Sequence, residues 1–247
     1  MKAGRLPCCC VFPKSVSEAQ ECMAQGAVPV GGATLVWASW QRDGFPEQAM
    51  SLRNVPEATV IAPGTLGGAV VLNRIDERVP EVLREAAASV GTGAVRRTAT
   101  VGGNLVGSTL RCLLPAALVL DARATVLEPE GARETDLAEV LAKQHLLLSL
   151  HWSDPVTSAY RKLAGEAGGP PPFVVAGAVH RGPDGRLLLR LAARDGYEVL
   201  AGAAVCDAGP EQALTTLRET AVGTLNDDRW EVVRRHATDL LARPAVR

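Results

Sequence analysis

Two glycine pairs are the residues whose type and spacing point most directly to chemistry: Val30-Gly31-Gly32-Ala33-Thr34-Leu35 and Thr100-Val101-Gly102-Gly103-Asn104. Each follows residues with strand character, AVPV in the first case and TATV in the second. Two successive glycines give up side-chain packing and cost backbone entropy, which a tight turn or a closely approaching ligand has to offset. Backbone N–H groups unobstructed by side chains suit a phosphate or pyrophosphate cradle. A single glycine pair after a strand more often marks only a tight turn. Neither loop has the GxGxxG spacing, and GxxxxGK[ST] occurs nowhere, which argues against Rossmann and P-loop nucleotide sites and leaves a phosphate binder of another kind.

Other reactive side chains form no constellation. His145, His151, His180 and His236 show neither metal spacing nor an obvious partner acid, and no GxSxG elbow is present, so no catalytic residue is assigned. Cys8, Cys9 and Cys10 are consecutive and point to alternate faces if extended, while Cys22, Cys112 and Cys206 are scattered. No metal site is expected; the thiols read as reduced, buried small hydrophobes. Trp37 and Trp40, three apart on a helical stretch, read as core.

These residues need a scaffold, and 47% hydrophobic content in 247 residues is ample for one large domain or two modest ones. Lys and Arg (26) nearly balance Asp and Glu (27), so no global attraction to nucleic acid or an anionic membrane is expected. No apolar run is long enough to span a bilayer, and the apolar core of MKAGRLPCCCVFPKS is too short for a secretory signal, giving a cytoplasmic expectation.

The elements follow from pattern. CCCVF is a short apolar run, and Ser15-Val16-Ser17-Glu18 supplies a capping box for a helix through about Ala24, stopped by Gly26. AVPVGG reads as strand into loop, TLVWASW as helix, and strand signals flank the turn Asn54-Val55-Pro56-Glu57. Val79, Val82, Leu83, Ala86 and Ala87 share one face of a helix over about 76–90. LLPAALVLDA is a buried helix entered near Pro115, ATVLEPEGARETDL a hairpin, and HLLLSLHW a strand with Leu146, Leu148 and Leu150 on one face. Residues 153–172 are rich in turn formers and carry the expected subdomain boundary; two strands, FVVAGAVHR and LLLRLAARD, and two helical stretches near 209–222 and 227–242 complete the chain.

Taken in order, VPVGGATL, SLRNVPE, AVRRTATVGGN, LLPAALVLDA and SAYRK resemble the FAD-binding medium subunit of molybdenum hydroxylases, the xanthine dehydrogenase and carbon monoxide dehydrogenase family, over nearly the whole chain. The resemblance implies an α+β fold: a two-lobed FAD-binding domain of the p-cresol methylhydroxylase/vanillyl-alcohol oxidase type over residues 1–152, with lobes of about 1–55 and 56–152, and a small sheet-and-helix C-terminal domain over 153–247. It implies that Val30, Gly31, Gly32, Ala33, Thr34 and Leu35, with Thr100, Gly102, Gly103 and Asn104, wrap the FAD pyrophosphate. It further implies flavin contacts from Leu147, Tyr160 and Lys162, the last as a cation near the ring, and an electron relay working with iron-sulfur and molybdopterin subunits.

The sequence departs from the family at several of these places. Cys112 stands where the family has an Asp that hydrogen-bonds an FAD hydroxyl, and a thiol is the poorer acceptor. Ala33 replaces a polar residue, the segment from Ala132 to His145 is short, and LAGEAGGPPP follows Lys162 in place of a basic cluster. Two further readings therefore stand beside the electron relay: a stand-alone flavoenzyme acting on a small-molecule substrate in a biosynthetic pathway, and a degenerate scaffold that has lost FAD.

Overall fold

The computed structural model describes residues 9–166 and 168–243; Cys8 lies outside them. In chain order its elements are β1 (Cys9–Val11), α1 (Val16–Ala24), β2 (Val28–Pro29), α2 (Val36–Asp43), β3 (Gln48–Met50), α3 (Pro56–Thr59), β4 (Ile61–Ala62), β5 (Thr65–Gly67), α4 (Glu81–Ala88), α5 (Gly93–Arg96) and α6 (Leu114–Val119). They continue with β6 (Arg123–Glu128), β7 (Gly131–Asp136), α7 (Leu137–Lys143), β8 (Leu146–His151), β9 (Thr157–Lys162), β10 (Val174–Arg181), β11 (Leu187–Asp195), β12 (Glu198–Val205), α8 (Pro210–Arg218) and α9 (Asp227–Leu241). The architecture is mixed α and β with several sheets.

The chain forms two compact units and passes between them repeatedly: Met1–Ile75, Gly91–Ser108 and Arg123–His151 make the first, and Asp76–Val90, Thr109–Ala122 and Trp152–Arg247 the second. The first unit holds a parallel sheet in the order β1-β3-β2 and an antiparallel sheet in the order β4-β5-β8-β6-β7. Helix α1 begins as its sequence dictates: Ser15 Oγ accepts the Glu18 N–H at 3.2 Å, and Glu18 reaches back to the Lys14 N–H at 2.7 Å. Its buried Ala19 joins Ala27, Met50, Leu52, Val55, Ala58, Leu127 and Leu148 in one apolar cluster.

In the second unit an antiparallel sheet, in the order β12-β11-β10-β9, carries helices on both faces. On one face Ser158 accepts the Val82 N–H of α4 and His180 bonds the Val119 carbonyl of α6. On the other, Val175, Val179, Leu189, Leu191 and Ala193 pack with Ala213, Leu217, Val233, Ala237 and Leu240 of α8 and α9. Alternation along each strand assigns side chains to these two layers.

Four expectations are corrected. Residues 157–162, read as part of a turn-rich boundary, are strand β9, because pairing with β10 supplies the backbone partners that local composition does not predict. Strand β12 went unrecognised; small residues such as Ala201, Gly202 and Ala203 weaken its pattern, and it forms by pairing with β11. Helix α2 buries none of its residues and leaves Trp37 53% exposed, so its tryptophans are not core. Cys9 and Cys10 are exposed, whereas Cys112 and Cys206 are buried as expected.

Candidate functional site

The first glycine loop leaves the parallel sheet where the Val30 N–H donates to Met50 O at 2.8 Å, and enters α2 where the Trp37 N–H donates to Ala33 O at 3.0 Å. Between these anchors, the N–H groups of Gly31, Gly32, Ala33 and Thr34 donate to no acceptor among the described residues. Ala33 has φ 55°, and a left-handed residue within such a run turns successive amides toward one side, as in an anion-binding nest. The left-handed backbone strains a residue with a Cβ. Ala33→Gly is therefore expected to stabilise the fold by about 0.5–1 kcal/mol, net of the extra freedom that glycine gives the unfolded chain, read from urea unfolding.

Both glycines of this loop are required by what lies against them. A Cβ on Gly31 would collide with Thr100 Oγ1, and one on Gly32 with the Thr98 carbonyl. The first loop is thus packed against the 98–100 segment that leads into the second, nearly 70 residues away in sequence, as a shared anion cradle requires.

The second loop is built differently from its sequence expectation. TATV gives no full strand: Thr100 makes an isolated antiparallel pair with Val71, and the chain then runs into a π-helical turn over Gly103–Gly107. Such turns are frequent at functional sites. Its amides are already engaged, Gly102 N–H on Gly68 O at 2.8 Å, Gly103 N–H on Thr100 Oγ1 at 3.2 Å and Asn104 N–H on Thr100 O at 2.9 Å. What this loop can offer a ligand is side-chain chemistry: the Thr100 hydroxyl accepts from Gly103 and keeps its own proton to donate. Thr100 and Asn104 are both buried. Leu147, 3% exposed, lies beneath the loop with its Cβ 3.7 Å from where a Gly102 side chain would begin.

Cys112, Tyr160 and Lys162 belong to the second unit. Tyr160 OH shares a hydrogen bond of 3.0 Å with Ser89 Oγ, and burial pushes its phenol up to about 12. Its N–H donates to Glu85, whose carboxyl is raised by burial and by the neighbouring charge of Glu81. Lys162 Nζ donates to Ser89 O at 2.8 Å, placing a cation at the C-terminal end of α4, the favourable end of that helix dipole. Cys112 is buried.

Sequence reasoning missed Gly67-Gly68 and Thr98. Gly68 accepts the Gly102 N–H and would overlap the Leu147 carbonyl if it carried a Cβ, so it backs the second loop. The signal was a third glycine pair, TLGGAVV, two residues after a predicted strand. Among the described residues there is no cluster of three or more His, Cys, Asp or Glu that could hold a metal, and no helix long and apolar enough to cross a membrane.

Four unpaired amides in a row, abutting the Thr100 hydroxyl, fit the diphosphate of a flavin dinucleotide in both charge and donor chemistry. The family described as the FAD binding domain in molybdopterin dehydrogenase matches residues 6–149, more than half of the chain. No curated protein matches significantly. Among solved structures, the chain resembles the reconstituted CO dehydrogenase from Oligotropha carboxidovorans, with a TM-score of 0.71 at 18% identity over 96% of this chain and 97% of that one. It also resembles a cyanide-inactivated Cu,Mo-CO dehydrogenase, with a TM-score of 0.69 at 16% identity over 96% of each chain. A third likeness is to quinoline 2-oxidoreductase from Pseudomonas putida 86, with a TM-score of 0.65 at 18% identity over 96% of each chain. By its sequence the chain belongs to the family of FAD-binding domains of molybdopterin dehydrogenases, the flavoprotein components of oxidoreductases.

Proposed function

We propose that this protein binds FAD without a covalent link and acts as the electron-relay flavoprotein of a molybdenum hydroxylase, alongside iron-sulfur and molybdopterin subunits. The observation that carries the reading is the run of unpaired amides from Gly31 to Thr34, set against Thr98 and Thr100. When bound, the flavin supplies reversible two-electron chemistry, while the protein supplies position and field.

The Gly31–Thr34 amides hold the diphosphate, the Thr100 hydroxyl and the Asn104 side chain add hydrogen bonds to it, and Val30 and Leu35 bracket the loop. Gly102 and Gly103 act by allowing close backbone approach, since their N–H groups are engaged within the protein. Leu147 supports the second loop from below. Cys112, Tyr160 and Lys162 are proposed as flavin contacts on the strength of the family resemblance. The exposed Lys162 ammonium provides a positive charge, and Tyr160 is presented by its bond to Ser89. The fold reading that goes with this is a two-lobed domain of the p-cresol methylhydroxylase/vanillyl-alcohol oxidase type over 1–152 (lobes about 1–55 and 56–152) and a C-terminal domain over 153–247. The extent of the family match, 6–149, supports the first of these.

The test is an absorbance spectrum of the purified protein before and after incubation with FAD, followed by gel filtration. Flavin bands that travel with the protein and bleach on anaerobic reduction are expected. A preparation that stays colourless after incubation overturns the proposal.

A further inference from the structure

The sheet of the second unit treats its two edges differently. At the β9 edge the outward backbone groups are occupied by side chains: the Tyr160 N–H donates to Glu85 Oε2 at 3.3 Å, and Arg243, itself paired with Glu81, donates from Nη1 to Ser158 O at 3.0 Å. Strand β12 forms the opposite edge and pairs with β11 alone, in unbroken register from Glu198 to Val205. The Cys206 N–H donates to Leu187 O at 2.9 Å, which fixes the phase of this ladder. Even-numbered residues of β12 therefore turn their backbone groups to β11, while Val199, Ala201, Ala203 and Val205 turn theirs outward. These outward N–H and C=O groups have no partner among the described residues.

A bare edge is a template for another strand, and chains that stay single guard it with a Lys, a Pro, a bulge or a very short strand. Strand β12 has none of these: it is eight residues long, EVLAGAAV, with its one charge at the end. Alternation puts the side chains of Val199, Ala201, Ala203 and Val205 in one row along the edge, and of these Ala201 is exposed and Val205 is 42% exposed. The row is self-complementary. An antiparallel two-fold centred on Gly202 sets Val199 against the second copy's Val205 and Ala201 against its Ala203, and leaves Glu198 facing Cys206, so that no charge opposes a like charge. Eight residues rise over about 27 Å, and a sheet with a helical layer on each face is roughly 25–30 Å thick, so this side offers on the order of 700–800 Å² per copy, the size of a specific interface.

We propose that β12 is the docking surface for a second copy of this chain, the two β12 strands pairing antiparallel to join two four-stranded sheets into one continuous sheet. Main-chain hydrogen bonds from the outward amides supply the affinity, and the valine and alanine rows exclude water beside them. The surface lies wholly within the second unit and stands whether or not the chain binds FAD.

The test is analytical ultracentrifugation of the full chain across a wide range of concentration. The wild type is expected at twice the 25.9 kDa of one chain, dissociating on dilution. Ala201→Pro removes an outward N–H and no bond to β11, so it should keep the fold and weaken dimerisation about thirtyfold, one backbone hydrogen bond being lost on each side of the axis. Ala201→Lys leaves the backbone intact and brings two ammonium groups together across the axis; it should weaken the dimer by about as much and keeps the test decisive if the proline variant folds poorly. Amide hydrogen exchange supplies the location: the amides of Val199, Ala201, Ala203 and Val205 should be protected in the dimer and exchange freely on dilution. The proposal is overturned by a monomeric wild type, whether its edge stays bare or takes up a strand of another protein. A dimer that neither variant weakens, or one in which those amides stay unprotected, overturns it as well.

Discussion

Gly32→Ala is expected to weaken FAD binding about a hundredfold, the equivalent of losing two or three well-made hydrogen bonds to the diphosphate. The methyl group has nowhere to go: it meets the Thr98 carbonyl and the Ala99 nitrogen, backbone atoms that cannot rotate aside as a side chain can. Either the first loop lifts off, taking its unpaired amides out of line, or the 98–100 segment shifts and carries Thr100 with it. Overpacking of this kind also costs about 1–3 kcal/mol of stability, so the melting temperature should fall as well. Gly26→Ala is the control. It has φ 85° but open space around its Cβ, so it should lose stability through backbone strain while leaving the FAD dissociation constant within about twofold. Fluorescence titration of FAD measures both. Unchanged affinity in Gly32→Ala would remove the first loop from the flavin site.

The second large effect is acid sensitivity centred on His236. This residue is 3% exposed on α9, and its Nε2 has no hydrogen-bond partner and points at Gly177, where a side chain would begin 3.3 Å away. Burial, helped by the positive charge of Arg161, holds the ring near pKa 4, while the bond to the Ala159 backbone and the charge of Asp239 pull the other way. The folded value lies below the ordinary 6.5, so the unfolded chain takes up the proton first. The stabilising contribution is complete above about pH 6.5, declines as pH falls from there, and by pH 4 amounts to a loss of about 3 kcal/mol. In His236→Leu that component disappears. Urea unfolding at pH 7.5, 5.5 and 4 should therefore show a shallower decline for the variant than for the wild type, whatever its stability at neutral pH. Parallel declines would show that His236 is not the titrating group. Glu85 works in the opposite sense: its raised carboxyl favours the folded state as pH falls, so it cannot be the origin of an acid loss.

Much of the scaffold was legible before any coordinates, for reasons visible in particular residues. Ser15 and Glu18 announce the start of α1, and Val82, Leu83, Ala86 and Ala87 share the buried face of α4, but that helix begins only at Glu81, after Pro80, and not near residue 76, so Val79 is buried outside it. The β6–β7 hairpin follows from alternation on either side of Pro129-Glu130. Trp37 shows the opposite case, since apolar type alone does not tell a helix which neighbour it will have, and α2 has none that buries it. Strand β9 was hidden because backbone pairing with β10, a long-range event, overrides a turn-rich local composition.

The sequence by itself determined that two glycine pairs, in the order of a flavoprotein family, are the places where backbone is left bare. Only the tertiary structure decided which of those bare amides remain available. The Gly102, Gly103 and Asn104 amides find acceptors in Gly68 and Thr100, whereas those from Gly31 to Thr34 find none among the described residues. An amide's availability depends on the distance to an acceptor, and that acceptor can come from a segment remote in sequence, here Gly68 for Gly102. Composition and spacing record which groups a chain possesses; only folding settles which of them have already been used.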